Sequence, residues 1–196
     1  MYRKTATEKI LSWGTAVSIL LLWLIVSEFG LIDQNLVPAP QAVFAAFIEI
    51  MENGYKNFTL LEHLGESMKR LVIAFVLSCV TAVPLGIASG YNSRIRAIFE
   101  PIIEFYRPLP PLAYYTLLVL WMGIENESKI SLLYLACCAP AYISCVSAVI
   151  KIREDYINSA FTVGASRLQV IVHVIFPACL PDIFTGLRTS LGVAYT

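Results

Sequence analysis

Asp155, Tyr156, Ile157, Asn158, Ser159, Ala160, Phe161, Thr162, Val163, Gly164, Ala165, Ser166, Arg167, Leu168 and Gln169, running on to Phe176, Pro177 and Pro181, form a polar island between apolar runs long enough to cross a bilayer. Two short helices fit it. One ends near Val163, Gly164 breaks the chain, and Ser166 and Gln169 then stand in the Ser-x-x-Gln relation of a capping box that starts the second. Pro177 and Pro181 are expected to stop that second helix. Within it Leu168, Ile171, Val172 and Ile175 recur at i, i+3, i+4 and i+7, which predicts one apolar face lying on the ends of membrane helices. The opposite face is left for a soluble partner.

The rest of the chain explains why an island stands out. Of 196 residues 58% are hydrophobic and only 14% charged, against about 25% charged in soluble domains. The composition is that of a membrane protein. Cys79, Cys137, Cys138, Cys145 and Cys179 lie in apolar runs or beside the island, without the paired spacing of a metal site or an extracellular disulfide framework. They read as buried thiols that pack as small apolar residues. His63 and His173 are isolated from each other and from other ligand types, so no metal site is expected.

Basic residues precede an uncharged run from Ile10 to Ser27 with Trp13 and Trp23 towards its ends, the pattern of a spanning helix with aromatic anchors rather than a cleaved leader. In the loop after it, Pro38 and Pro40 break the chain, and Phe44, Phe47, Ile48 and Met51 predict a short amphipathic helix at the interface. Thr59 and Glu62 make a second capping box, which predicts a helix running through Leu64, Met68 and Leu71 into the second span. The second span, Leu71 to about Tyr91, carries Ala74, Ser78, Ala82, Gly86 and Gly90 as one stripe of small residues. Asn92 to Arg96 reads as a short basic turn. Glu100, Glu104 and Arg107 then share a helix face where they can neutralise one another; alternatively Arg107, just before Pro108, Pro110 and Pro111, attracts an anion at the mouth of a pathway.

Leu112 to Ile124 is expected to complete the third span, Glu125 to Lys129 to turn, and Ile130 to Ile150 to form the fourth. Ala136, Pro140, Ser144 and Ala148 give that fourth span its own stripe, a natural partner for the first. A fifth apolar run from Ile183 covers about 14 residues, short of a hydrocarbon core of roughly 30 Å. The expectation is therefore an all-α polytopic bundle of four full spans plus the start of a fifth. It divides into residues 1–30 (N-terminal region and first span), 31–70 (external loop) and 71–196 (core, with a cytoplasmic loop at 151–182).

With the N-terminus inside, Arg3, Lys4, Lys9, Arg94, Arg96, Lys151, Arg153 and Arg167 fall on the cytoplasmic side, against Lys56, Lys69, Arg70 and Lys129 outside. The island then faces the cytoplasm. There is no Gly-x-x-x-x-Gly-Lys-Ser/Thr loop for nucleotide phosphates, no nucleophile and base pattern, and no basic and aromatic surface for nucleic acid. No cofactor or enzymatic activity is read, and energy must arrive through contact.

Ser159 and Ala160, Gly164 four residues after Ala160, and then Val174, Phe176 and Pro177 resemble the EAA loop of permease subunits of ATP-binding-cassette importers. Glu100 to Tyr114, Leu120 to Ile124 and Leu180 to Arg188 resemble the subgroup that imports taurine and other aliphatic sulfonates, with relatives handling nitrate and bicarbonate. The likeness runs from about Leu36 to the last residue. The chain departs from the pattern at Asn158, where Glu is usual, and at Thr116, where Pro is frequent. The resemblance implies a multi-pass protein of the bacterial inner membrane, working as two permease copies with two ATP-binding subunits and a periplasmic or surface solute-binding protein. It also implies that Asn158, Ser159, Ala160, Phe161, Gly164, Val174, Phe176 and Pro177 belong to the loop that docks on the ATPase. Which residues bind solute is left open. A secondary transporter or channel needing no ATPase is one alternative; a permease of six-span type cut short after the start of its fifth span, without transport of its own, is another.

Overall fold

The computed structural model describes residues 5–29, 37–56 and 58–195, and its regular elements are helices apart from one bridge pairing Tyr55 with Phe58. Arg3, Lys4 and the start of the first loop at Leu31, used above for orientation and boundaries, lie outside the described residues. The chain divides into two units, Met1–Leu64 and Gly65–Thr196.

In the first unit, α1 (Ala6–Glu28) is the expected first span. Its start is capped by Glu8, whose Oε2 accepts from the Thr5 N–H at 2.7 Å. Trp23 does more than anchor at an interface, since its indole N–H donates to the Pro38 carbonyl at 3.2 Å. Next comes α2 (Pro40–Asn53), entered by a proline whose missing N–H costs nothing in the first turn and closed at Gly54 with φ +70°. Phe44, Phe47, Ile48 and Met51 all stand exposed along it, the stripe the spacing predicts. His63 is a structural residue: Nε2 lies 2.9 Å from the Tyr55 carbonyl, and its ring packs beside Tyr55 and Phe58. Thr59 and Glu62 form the expected capping box, with Glu62 Oε2 accepting from the Thr59 N–H at 2.7 Å, and so begin α3 (Leu60–Tyr91), which runs through Leu64, Met68 and Leu71 into the second span as expected.

The second unit is built on α6 (Asn126–Ile150), buried along most of its length through Cys137, Ala141, Tyr142, Cys145 and Val149. The α3 stripe packs on it. A Cβ added at Gly86 would lie 2.5 Å from Cys145 Cβ and 2.9 Å from the Tyr142 carbonyl, and one at Gly90 would lie 2.5 Å from Val149 Cβ. Arg70 Nε donates to Asn126 Oδ1 at 2.7 Å, and the Thr81 and Tyr134 hydroxyls meet at 3.1 Å. Partners thus advance together, 70 with 126, 81 with 134, 90 with 149, so α3 and α6 run parallel.

The two stripes do not face each other as expected. Ala136, Pro140 and Ser144 look instead towards α9 (Phe176–Tyr195), where Gly186 abuts Ser144 and the Cys137 thiol points at the Ser190 carbonyl, 3.7 Å away. One helix face meets one neighbour: with 100° between successive residues, Tyr142 and Cys145 cannot share a side with Pro140 and Ser144. Here the later residues of α9 meet the earlier ones of α6, so this pair is antiparallel.

Parallel neighbours need a return crossing, and α4 (Ser93–Tyr106) with α5 (Pro111–Met122) supplies it. Two sequence expectations change here. Asn92 to Arg96 is no turn: Asn92 Oδ1 accepts from the Arg94 N–H at 3.0 Å and starts α4 at once. Similarly, the turn at Glu125 to Lys129 shrinks to Gly123 (φ +83°) and its neighbours, because α6 already begins at Asn126. Leu112 to Ile124 is only part of a crossing, as α5 has 12 residues, about 18 Å. Pro108, Pro110 and Pro111 withhold backbone donors, so the crossing breaks just past Arg107, which itself keeps helical angles. Glu100 pairs with Arg96 at 3.9 Å, not with Arg107.

The C-terminal end differs most from expectation. Pro177 and Pro181 do not stop the helix: α8 (Arg167–Val170), a π turn (Ile171–Ile175) and α9 form one continuous run to Tyr195. The wide turn ends two residues before Pro177, where a regular helix would press the pyrrolidine ring on the carbonyl of His173. Among the described residues four helices are long and apolar enough to cross a membrane, and Arg167–Tyr195 is one of them.

Candidate coupling site

The polar island emerges from the end of α6 as a compact excursion. Arg153, extended, precedes α7 (Glu154–Thr162). Its guanidinium donates to Asp155 Oδ2 at 2.6 Å and sits 6.0 Å from the centre of the Tyr156 ring, while Glu154 and Asp155 place negative charge in the first turn, where the helix dipole favours it. The end of α7 is a Schellman motif. Ala165 N–H donates to the Ala160 carbonyl at 3.1 Å and Gly164 N–H to the Phe161 carbonyl at 2.9 Å. Gly164 takes φ +89°, a left-handed conformation costing about 1 kcal/mol or more for residues with a Cβ, and nothing lies within 4 Å of where that Cβ would stand. Ser166 then caps α8 as its spacing predicts: its N–H donates to Gln169 Oε1 at 2.8 Å, and its Oγ accepts from the Gln169 N–H at 3.4 Å.

One face of this excursion is part of the core. Val170 and Ile175 are 0% exposed and pack with Ile87, Cys145, Val149 and Cys179, and Ile157, Ala160, Ala165, Ile171 and Val174 lie against them. The inward stripe is therefore Val170, Ile171, Val174 and Ile175. Leu168, expected on it, is 71% exposed, and Val172 is half exposed. The π turn explains the shift, because a turn holding more than 3.6 residues rotates the helix before it relative to the helix beyond it. Leu168, Tyr156, Phe161 and Val163 leave apolar side chains exposed, Val163 by 89%.

Of the eight residues singled out for docking, Ala160, Gly164 and Val174 line one open concavity of about 420 Å³. Asn158 and Ser159 are exposed on α7, and Phe161 is 39% exposed. Phe176 and Pro177 are exposed but belong to the start of α9, outside that concavity. Val174 is half-buried, packed against the core on one side while lining the concavity on the other. Sequence reasoning missed Val163, Gln169 and His173, which share the concavity. It also missed the Lys151 to Asp182 ion pair at 3.7 Å, which ties the end of α6 to α9 across the base of the excursion. Those two charges bound the island in the sequence, but no periodicity links residues so far apart. Among the described residues no cluster of histidine, cysteine and carboxylate side chains could hold a metal ion.

Residues 82–196, from the middle of α3 through α9, match the family of binding-protein-dependent transport system inner membrane components. The chain belongs to this family. The permease is 42% identical to the taurine transport system permease protein TauC of Escherichia coli K12 over 95% of its own length and 68% of that protein. It is 29% identical to the putative aliphatic sulfonates transport permease protein SsuC of Bacillus subtilis 168, over 90% of the chain and 63% of the relative. Against the bicarbonate transport system permease protein CmpB of Synechococcus elongatus the identity is 25%, over 99% and 71%. The permease thus spans about two thirds of the length of each of these relatives. Family and helices together make it an all-α, multi-pass transport component of the inner membrane.

Proposed function

We propose that this permease carries a small anionic or zwitterionic solute, taurine or another aliphatic sulfonate, through the inner membrane as part of an ATP-binding-cassette importer. Two copies form the path, a solute-binding protein delivers the solute, and two ATP-binding subunits hydrolyse ATP. The N-terminus and the Asn158 to Val174 loop face the cytoplasm, where the loop seats in a groove of the ATPase. Similarity to a taurine permease supports the solute class.

The observation that carries the coupling role is the exposed apolar area of α7 and α8. Tyr156, Phe161, Val163 and Leu168 expose apolar area to either side of Gly164 in the sequence, and nothing lies within 4 Å of where a Cβ on that glycine would stand. Such area favours a cover of complementary shape. Force applied there reaches the bundle directly, because α8 continues without a break into α9 and Lys151 holds Asp182 at the base.

Gly164→Asn tests this. Asn tolerates left-handed φ and has room in the isolated chain, so the loop keeps its fold. A seated ATPase would meet the new side chain. The expected result in proteoliposomes of the whole assembly is uptake reduced at least about tenfold with ATP hydrolysis no longer stimulated by loaded binding protein. Normal uptake and normal stimulation would remove the docking role.

A further inference from the structure

We infer that the break between α4 and α5 holds the sulfonate group of the solute, with the Arg107 guanidinium as the cation and Tyr106, Tyr114 and Thr189 around it. This rests on the sulfonate-import reading above. The break opens on a cavity of about 310 Å³ whose wall includes those four residues with Ala136 and Pro140. That volume is at the lower end for small-molecule sites.

Position is the first argument. Since α3 and α6 run parallel, α4 and α5 return over the full height of α6, and the cavity touches α6 at 135–140, the middle of its 126–150 span. A crossing made of two half-length helices joined by irregular backbone at mid-depth is how transporters build solute sites, and such backbone is tolerated where it lines a cavity. Charge is the second. Arg107 makes no ion pair among the described residues, although Glu100 and Glu104 share its helix, and a guanidinium at that depth is costly without an anion or water.

The neighbours fit the rest of such a solute. The Tyr106 hydroxyl is buried beside the Cys138 thiol, so what Tyr106 lends the cavity wall is its ring. Thr189 donates to the Thr185 carbonyl at 3.0 Å and keeps lone pairs to accept from an ammonium group. Aromatic faces at Tyr106 and Tyr114 also suit a small cation. Arginine presents a planar fork of donors to an oxyanion at every physiological pH, so binding would not depend on protonation.

The test uses the whole assembly. In detergent and without binding protein, millimolar ethanesulfonate should raise the melting temperature of the wild-type complex over an equal concentration of chloride. Arg107→Gln should abolish that shift and cut taurine uptake in proteoliposomes at least about tenfold, while Arg107→Lys should recover part of both. Ala136→Leu, which fills the cavity from α6, should also remove the shift. An unchanged shift and uptake in both Arg107→Gln and Ala136→Leu overturns the site. Should Arg107→Gln fail to assemble, Ala136→Leu decides: a lost shift supports the site and an unchanged one overturns it. If the wild type imports no sulfonate, the import reading itself fails.

Discussion

Helices α1 and α6 are both apolar and long enough to cross a membrane, yet each is packed differently within its own unit. In α1 apolar side chains from Ile10 to Ile25 stand exposed, and a Cβ at Gly14 would have nothing within 4 Å. By contrast, α6 is enclosed by α3, α9 and the α4–α5 return, with glycines of two neighbours pressed on it. Hydropathy sorts a helix into the bilayer, where lipid is as good an apolar solvent as protein. Only close approach between small residues, which gains van der Waals contact that lipid does not match, draws a helix into a bundle.

The contrast breaks most readily at Gly186. Gly186→Val should drive a branched side chain into Ser144 and lower stability by about 3 kcal/mol, read as a lost or strongly lowered melting transition in detergent. Gly86→Val should do nearly as much, because it meets a backbone carbonyl that cannot swing aside. A melting temperature within a degree or two of wild type for both would mean α6 is not the tightly packed centre.

Lys151→Met removes an ion pair 3.7 Å long whose side chains are both well exposed, so the loss should stay below about 1 kcal/mol and shrink further in high salt. Measuring ATP consumed per solute moved sharpens the comparison: a changed ratio with unchanged stability would mark the pair as part of the force path. At the other extreme, Gly14→Ala on α1 should leave melting unchanged or raise it slightly, by up to about 1 kcal/mol of helix propensity. A large loss there would show that α1 is packed against something in the working assembly.

The loop was legible where its signals are local. Capping boxes at Thr59 and Ser166 and the break at Gly164 depend on hydrogen bonds within a few residues, and each occurs as its spacing predicts. The inward face of α8 was not legible, since 3.6-residue counting fails across a π turn and placed Leu168 inside. Nor were the prolines: Pro177 and Pro181 stop a helix in water, whereas here the π turn before Pro177 makes room for it and the helix runs on to Tyr195.

Sequence by itself determined that the chain is helical, membrane-bound and interrupted by one polar loop, because transfer to lipid and helix capping are properties of residues and their near neighbours. Tertiary structure alone decided which face of α6 meets which helix, that α4 and α5 share one broken crossing, and that Arg107 stands on a cavity beside α9. Those outcomes depend on which side chains distant in the chain fit together, and no spacing along one helix encodes its partner.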